Sequence, residues 1–177
     1  LGVHPCDARA ILVYDTVFGG DLPDVYYWHR RKNTIIVAIT CTVPDEDCFC
    51  MSFDDCGPTL EKKGYDLLLT DLGDRYVMEA GSLEGSLLIQ QPGLFDKVTE
   101  NDRHAKGRAV EISKLKVRKK IPSVKGLHDF LERHYEHDVW AKEASKCVSC
   151  GACTFTCPTC FCYHMEDFNK FNLSEGE

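Results

Sequence analysis

Six of the eleven cysteines fall within sixteen residues, CVSCGACTFTCPTCFC at positions 147–162. Four more sit at Cys41, Cys48, Cys50 and Cys56, and Cys6 stands alone near the start. Residues 57–146 have none. Disulfide frameworks usually spread their cysteines so that bridges close long loops. Gaps of two or three residues suit metal ligation instead, the more so in a cytoplasmic chain.

Cys147, Cys150, Cys153 and Cys157, followed by Pro158, keep the ferredoxin-type spacing C-x2-C-x2-C-x3-C-P. A four-iron cube takes a thiolate at each iron. A short loop wraps one face and supplies three, and the fourth comes from elsewhere because the chain has turned away. Gly151 allows a close approach or a positive φ, and Pro158 redirects the chain. Phe155 and Phe161 are the apolar residues expected to exclude water. Structural zinc draws on two separated knuckles, so three successive ligands at this spacing are awkward for one tetrahedral ion. In two-cluster ferredoxins the fourth cysteine of the run serves the other cluster. Either Cys157, Cys160 or Cys162 closes a single cluster, or ligands for a second lie outside this chain. Two rival readings stand beside this one. One is a zinc-stabilised interaction domain. The other is a thiol redox protein using Cys157 and Cys160, whose spacing resembles thioredoxin-type motifs.

The elements that must position these residues fall into an α/β region, a helical connector and a cysteine-rich segment, with expected bounds 1–93, 94–146 and 147–177. Residues 8–18 have helical apolar spacing after Asp7, a good N-cap. A short helix is expected over 24–31. TIIVAITC, residues 34–41, is a β-branched apolar run suited to a buried strand. A second buried strand starts at Tyr65 and a third at Arg75, with Gly73-Asp74 as a hairpin turn between them. Gly19-Gly20 and Gly81-Ser82 are ordinary turns. A long polar helix is expected over 98–118, with apolar positions Ala105, Ala109, Ile112 and Leu115. Two shorter helices, over 127–135 and 139–144, lead into Cys147. The predicted fold is thus a small mixed sheet with helices, then a connector and a ferredoxin-type tail.

Several segments together resemble the β-type iron–sulfur subunit of cytoplasmic sulfhydrogenases and soluble nickel–iron hydrogenases, and are similar to the corresponding iron–sulfur chain of anaerobic sulfite reductase. They are GVHPCD, DVYYWHRRKNTIIVAITC, CFCMS, GYDLLLTDLGDRYVMEAGS and CVSCGACTFTCPTCFC. The resemblance implies electron transfer through 4Fe-4S clusters. Two partners are implied: one subunit that binds flavin and NAD(P)H, and one catalytic subunit for hydrogen, sulfur or sulfite. It implies a fragment, lacking an N-terminal region and a last cluster motif, in which Cys157 would serve a second cluster.

The resemblance also covers Cys6, Cys41, Cys48 and Cys50. Cys41 ends a strand, Cys48 and Cys50 follow in the next loop, and Cys6 precedes a helix. In an α/β fold, strand ends and helix starts meet at one sheet edge. Four thiols meeting there would hold an additional 4Fe-4S cluster; the alternative is buried or redox-active thiols. Cys56 departs from the family pattern and is expected to be a small hydrophobe.

The remaining candidates are weaker. His134 and His137 share a helix face but have no third ligand in view, and a solvated surface is expected. His4 either flanks a cluster or packs. KLKVRKK, residues 114–120, is expected to be a solvated helix end rather than a docking patch. Asp45, Glu46 and Asp47 are loop charges which, near a cluster, would lower its potential. No G-x-G-x-x-G or G-x4-G-K-[ST] stretch is present, so no nucleotide-binding loop is expected. The net charge of -7 argues against nucleic acid and anionic membrane surfaces. The longest apolar run, 35–39, is too short for a membrane span.

Overall fold

The computed structural model describes residues 1–53, 56–60, 64–122, 124–157 and 160. Helix α1, Pro5–Val17, starts earlier than the sequence suggests. His4 is its N-cap and Pro5 its first residue, a position where the missing N–H costs nothing. Asp7 therefore lies in the first turn, where it complements the helix dipole rather than capping it. Helix α2, Val25–Lys32, is capped by Asp24, whose carboxylate accepts from the Tyr27 N–H at 2.7 Å. It is fastened to α1 at Asp15, which receives the Tyr27 hydroxyl at 2.6 Å and Arg31 Nε at 3.0 Å.

Three strands form one sheet among the described residues: β1 (Val37–Ile39), β2 (Leu67–Asp71) and β3 (Tyr76–Ala80). β1 and β2 are parallel, with Val37 opposite Leu67; β2 and β3 are antiparallel, with Thr70 opposite Val77. The hairpin turn falls at Gly73 as expected. Its φ of 98° is one that only glycine adopts without strain, and its N–H donates to Asp71 at 2.7 Å. The core under the sheet is small: Ile36, Ala38, Tyr65 and Leu68, with Val3, Ile11 and Leu60 packed against them.

Helix α3, Leu83–Ile89, has no counterpart in the sequence reading. Ser82, read as part of a plain turn, is its N-cap and accepts from the Gly85 N–H at 3.0 Å. Helix α4, Glu100–Lys116, opens with a reciprocal capping box between Thr99 and Asp102. Its buried face differs from the expected one. Val110 and Ser113 face inward, while Ile112 and Leu115 are 53% and 82% exposed. The inward stripe continues to Val117, just past the helix end. Helices α5 (Leu127–Arg133) and α6 (Val139–Ala144) follow as expected, and neither has a buried residue. A short helix α7, Ala152–Thr156, lies between the cysteines of the tail. No described helix is long and apolar enough to cross a membrane.

Candidate metal centres

The first site grows out of strand register. Val3 bridges Ala38 in parallel, its carbonyl receiving the Ile39 N–H at 2.9 Å. Three residues further along each chain come Cys6 and Cys41, so both emerge at the same end of β1. The loop after β1 then turns back to this edge. The Cys41 N–H donates to the Pro58 carbonyl at 2.7 Å, which brings the far end of the loop to the strand end. Within the loop, Asp45 accepts from the Asp47 N–H at 3.0 Å and from the Cys48 N–H at 3.1 Å, the latter at its carbonyl. A 3₁₀ turn, Cys50–Ser52, follows, and the Cys56 N–H closes onto the Phe53 carbonyl at 3.2 Å.

The result is a cavity of about 760 Å³ lined by Cys6, Cys41, Cys48, Cys50 and Cys56. None of these five is bridged to another cysteine. Pro44, Phe49, Phe53, Pro58 and Val117 give the cavity apolar walls, and His4, Arg9, Asp45 and Asp47 complete its rim. Cys56 is the residue the sequence reading set aside, and it stands among the others. The signal that could have found it is the loop closure itself, since a loop that returns to the strand end carries its last cysteine with it.

Burial first, then neighbouring thiols, pushes several of these groups above the ordinary thiol range. Cys41 feels Cys48 and Cys50; Cys50 feels Cys56 and Cys48. Cys6 is raised by burial, then by the Asp7 carboxylate and more weakly by Cys50. Cys56 is raised by burial and by Cys6, against the pull of the Arg9 guanidinium. Without metal these thiols keep their protons, and a metal that binds them must displace those protons.

Helix α4 and the residues after it hold the loop from outside. The buried Ser113 hydroxyl donates to the Cys41 carbonyl. Lys116 Nζ reaches the Thr42 carbonyl at 3.4 Å, Lys119 pairs with Asp47, and the Ile121 N–H donates to Ser52 Oγ at 2.9 Å. Part of the basic run thus clasps the cysteine loop, where a wholly solvated helix end was expected.

The second site is the tail. Cys147, Cys150 and Cys153 are exposed and Cys157 is half-buried. Gly151 has φ 73° and Ser149 φ 55°, so the backbone reverses between ligands as the spacing requires. The Ser149 N–H points at the Cys147 sulfur, 3.3 Å away. Backbone N–H donors of this kind stabilise thiolate charge at iron–sulfur centres. Phe155, expected to shield the site, lies in α7 and is 91% exposed. Phe161 and Cys162 lie outside the described residues. Cys160 is exposed, and its carbonyl accepts from the Tyr14 hydroxyl at 3.1 Å, which ties the tail to α1.

Among the described residues, no three His, Cys, Asp or Glu side chains are gathered to hold a single metal ion. Five thiols line one cavity, and a 4Fe-4S cluster takes one thiolate at each iron. His134 and His137 are exposed and locally engaged, one stacked on Phe130 with ring centroids 4.3 Å apart, the other accepting from the Val139 N–H at 3.1 Å.

The donor chemistry agrees with comparison to known proteins. Residues 146–177 match the 4Fe-4S dicluster domain family, so the tail is an iron–sulfur segment of 4Fe-4S type. Over nearly its whole length the chain is similar to the sulfhydrogenase 2 subunit beta of Pyrococcus furiosus. The two are 40% identical over 167 residues, 94% of this chain and 48% of the relative. The chain therefore spans about half the length of that curated relative. No solved structure matches.

Proposed function

We propose that this chain carries single electrons through 4Fe-4S clusters as the iron–sulfur part of a larger oxidoreductase. One observation carries the reading: the two cysteine groups meet opposite ends of one helix. Cys6, in the first turn of α1, faces the cavity thiols, and Tyr14, near its other end, holds the tail at Cys160. Clusters exchange one electron at a time without bond-making at side chains. In this reading Cys147, Cys150 and Cys153 hold one cluster in the tail, and Cys157 serves a second. Cys6, Cys41, Cys48 and Cys50 hold a further cluster in the cavity. The Ser149 N–H steadies thiolate charge, and Phe49 and Phe53 supply part of the cavity's apolar wall.

Similarity to a sulfhydrogenase β subunit supports assembly with other hydrogenase subunits. The electrons would pass from one subunit that binds flavin and NAD(P)H to one that turns over hydrogen, sulfur or sulfite, or in the reverse direction. The test is anaerobic purification with iron, zinc and acid-labile sulfide determined per chain, followed by EPR of the reduced protein. Brown protein with iron and sulfide in equal amounts is expected. Colourless protein with stoichiometric zinc and no labile sulfide would instead establish a zinc-stabilised domain. Disulfide exchange by a metal-free sample, abolished in Cys157→Ser, would establish the thiol redox reading.

A further inference from the structure

A second cavity, of about 560 Å³, opens between α1 and α2 and shares no lining residue with the cavity of the thiols. We propose that it binds a planar aromatic molecule carrying one anionic group, with Tyr26 against the ring and Arg30 on the charge. The proposal does not depend on what the thiols hold. The floor is apolar: Val3, Ile11 and Ile36 line it and belong to the core. Tyr14, Phe18 and Tyr27 add an aromatic wall. These rings already pack on one another, with centroids 4.9 Å apart for Phe18 and Tyr27 and 6.5 Å for Tyr14 and Tyr27. Small-ligand sites are of this kind: about 300–1,000 Å³, lined mostly by apolar and aromatic side chains, with a few polar groups that fix orientation.

Two lining groups have no work inside the fold. Tyr26 is 80% exposed and makes no ring contact among the described residues. A ring left in water gains from an aromatic partner beyond the area that is covered. Arg30 follows four residues later, so the two share one face of α2, a turn apart. The other charges at this cavity are engaged. Arg31 is held by Asp15 at 3.0 Å, and Asp24 caps α2 on the Tyr27 N–H at 2.7 Å. The Arg30 guanidinium has no ion-pair partner among the described residues. Its planar fork of N–H donors matches a carboxylate or a similar oxyanion. Asp24, at the opposite end of α2, repels an anion, so the ligand charge lies toward Arg30. Tyr14 lines the same cavity, and its hydroxyl is on the Cys160 carbonyl. The site thus stands one side chain away from the iron–sulfur tail.

The probe is anthraquinone sulfonate, titrated by calorimetry into the anaerobically purified full chain. Binding at a single site per chain is expected. Arg30→Gln is expected to weaken the sulfonate about tenfold while uncharged hydroxymethylanthraquinone stays within about twofold. Tyr26→Ala, at an exposed ring, is expected to weaken both compounds. Absence of binding, unchanged sulfonate affinity in Arg30→Gln, or equal affinity for the aliphatic hexanesulfonate would each overturn the site. A second measurement checks its place in the fold. A ligand packed on the Tyr14 ring favours the position in which that hydroxyl reaches Cys160. Saturating probe is therefore expected to slow amide hydrogen exchange across residues 152–157 in the wild type. The slowing is expected to vanish in Tyr14→Phe, which keeps the ring and loses the hydroxyl. No slowing in the wild type, or equal slowing in Tyr14→Phe, would refute the placement beside the tail.

Discussion

Ser113→Ala tests whether α4 holds the cysteine loop in place. Ser113 is fully buried, and its hydroxyl donates to the carbonyl of Cys41. Removing the donor leaves that carbonyl without this partner in an interior position, which costs about 1–3 kcal/mol, while the single lost oxygen opens almost no cavity. Taking about 2 kcal/mol, a protein of this size loses roughly 4–8 °C in Tm. The measurement is thermal unfolding of metal-free wild type and variant under identical conditions, because bound metal would shift the midpoint by mass action. Ile112→Ala and Leu115→Ala are the controls. Both side chains are more than half exposed, and each substitution is expected to change stability by no more than about 0.5 kcal/mol. The reverse pattern, a neutral Ser113→Ala with costly Ile112→Ala or Leu115→Ala, would refute the assigned face of α4. It would also remove the clamp on the loop.

Thr99→Ala breaks the capping box of α4 and is expected to cost about 1 kcal/mol, seen as a fall in Tm of roughly 2–4 °C. Chelation of bound metal is expected to speed amide hydrogen exchange across residues 147–157 while β2 stays protected, since thiolate ligation and local folding are coupled; unchanged protection would refute that coupling. The raised thiols of Cys6, Cys41, Cys50 and Cys56 predict a pH dependence of the metal-free chain. A group whose folded pKa is raised contributes stability below its unfolded value. That stability is present in full below about pH 8.5 and is lost as pH rises through and beyond that point. Midpoints measured between pH 7 and pH 10 are expected to fall more steeply than in a variant with the four residues changed to Ser, and equal slopes would refute the cause.

Much of the fold was legible because local signals agreed with the tertiary result. The β-branched run before Cys41, the alternation after Arg75 and the Gly73 turn each had one reading. Convergence of Cys6, Cys41, Cys48 and Cys50 followed from a general property of α/β sheets, that strand ends and helix starts share an edge. Three things were hidden. Helix α3 is only seven residues long and its cap, Ser82, follows a glycine, so it reads as a turn. The inner face of α4 is chosen by the loop it packs on: Ser113 wins over Ile112 because a carbonyl awaits it. Cys56 belongs to the cavity through a loop closure made by backbone groups, which side-chain identity does not encode.

Helix α1 also works as a gauge between the two cysteine groups. Eight residues separate Cys6 from Tyr14, so at about 1.5 Å per residue the two are set roughly 12 Å apart along the axis. Loops can lengthen without moving what they connect, but a helix cannot. One residue inserted between Cys6 and Tyr14 would add only about 1.5 Å, yet it would swing Tyr14 by about 100° around the axis. Its hydroxyl would then leave the Cys160 carbonyl. The spacing of the groups is therefore protected less by length than by angle, and a change too small to matter for distance is enough to unhook the tail.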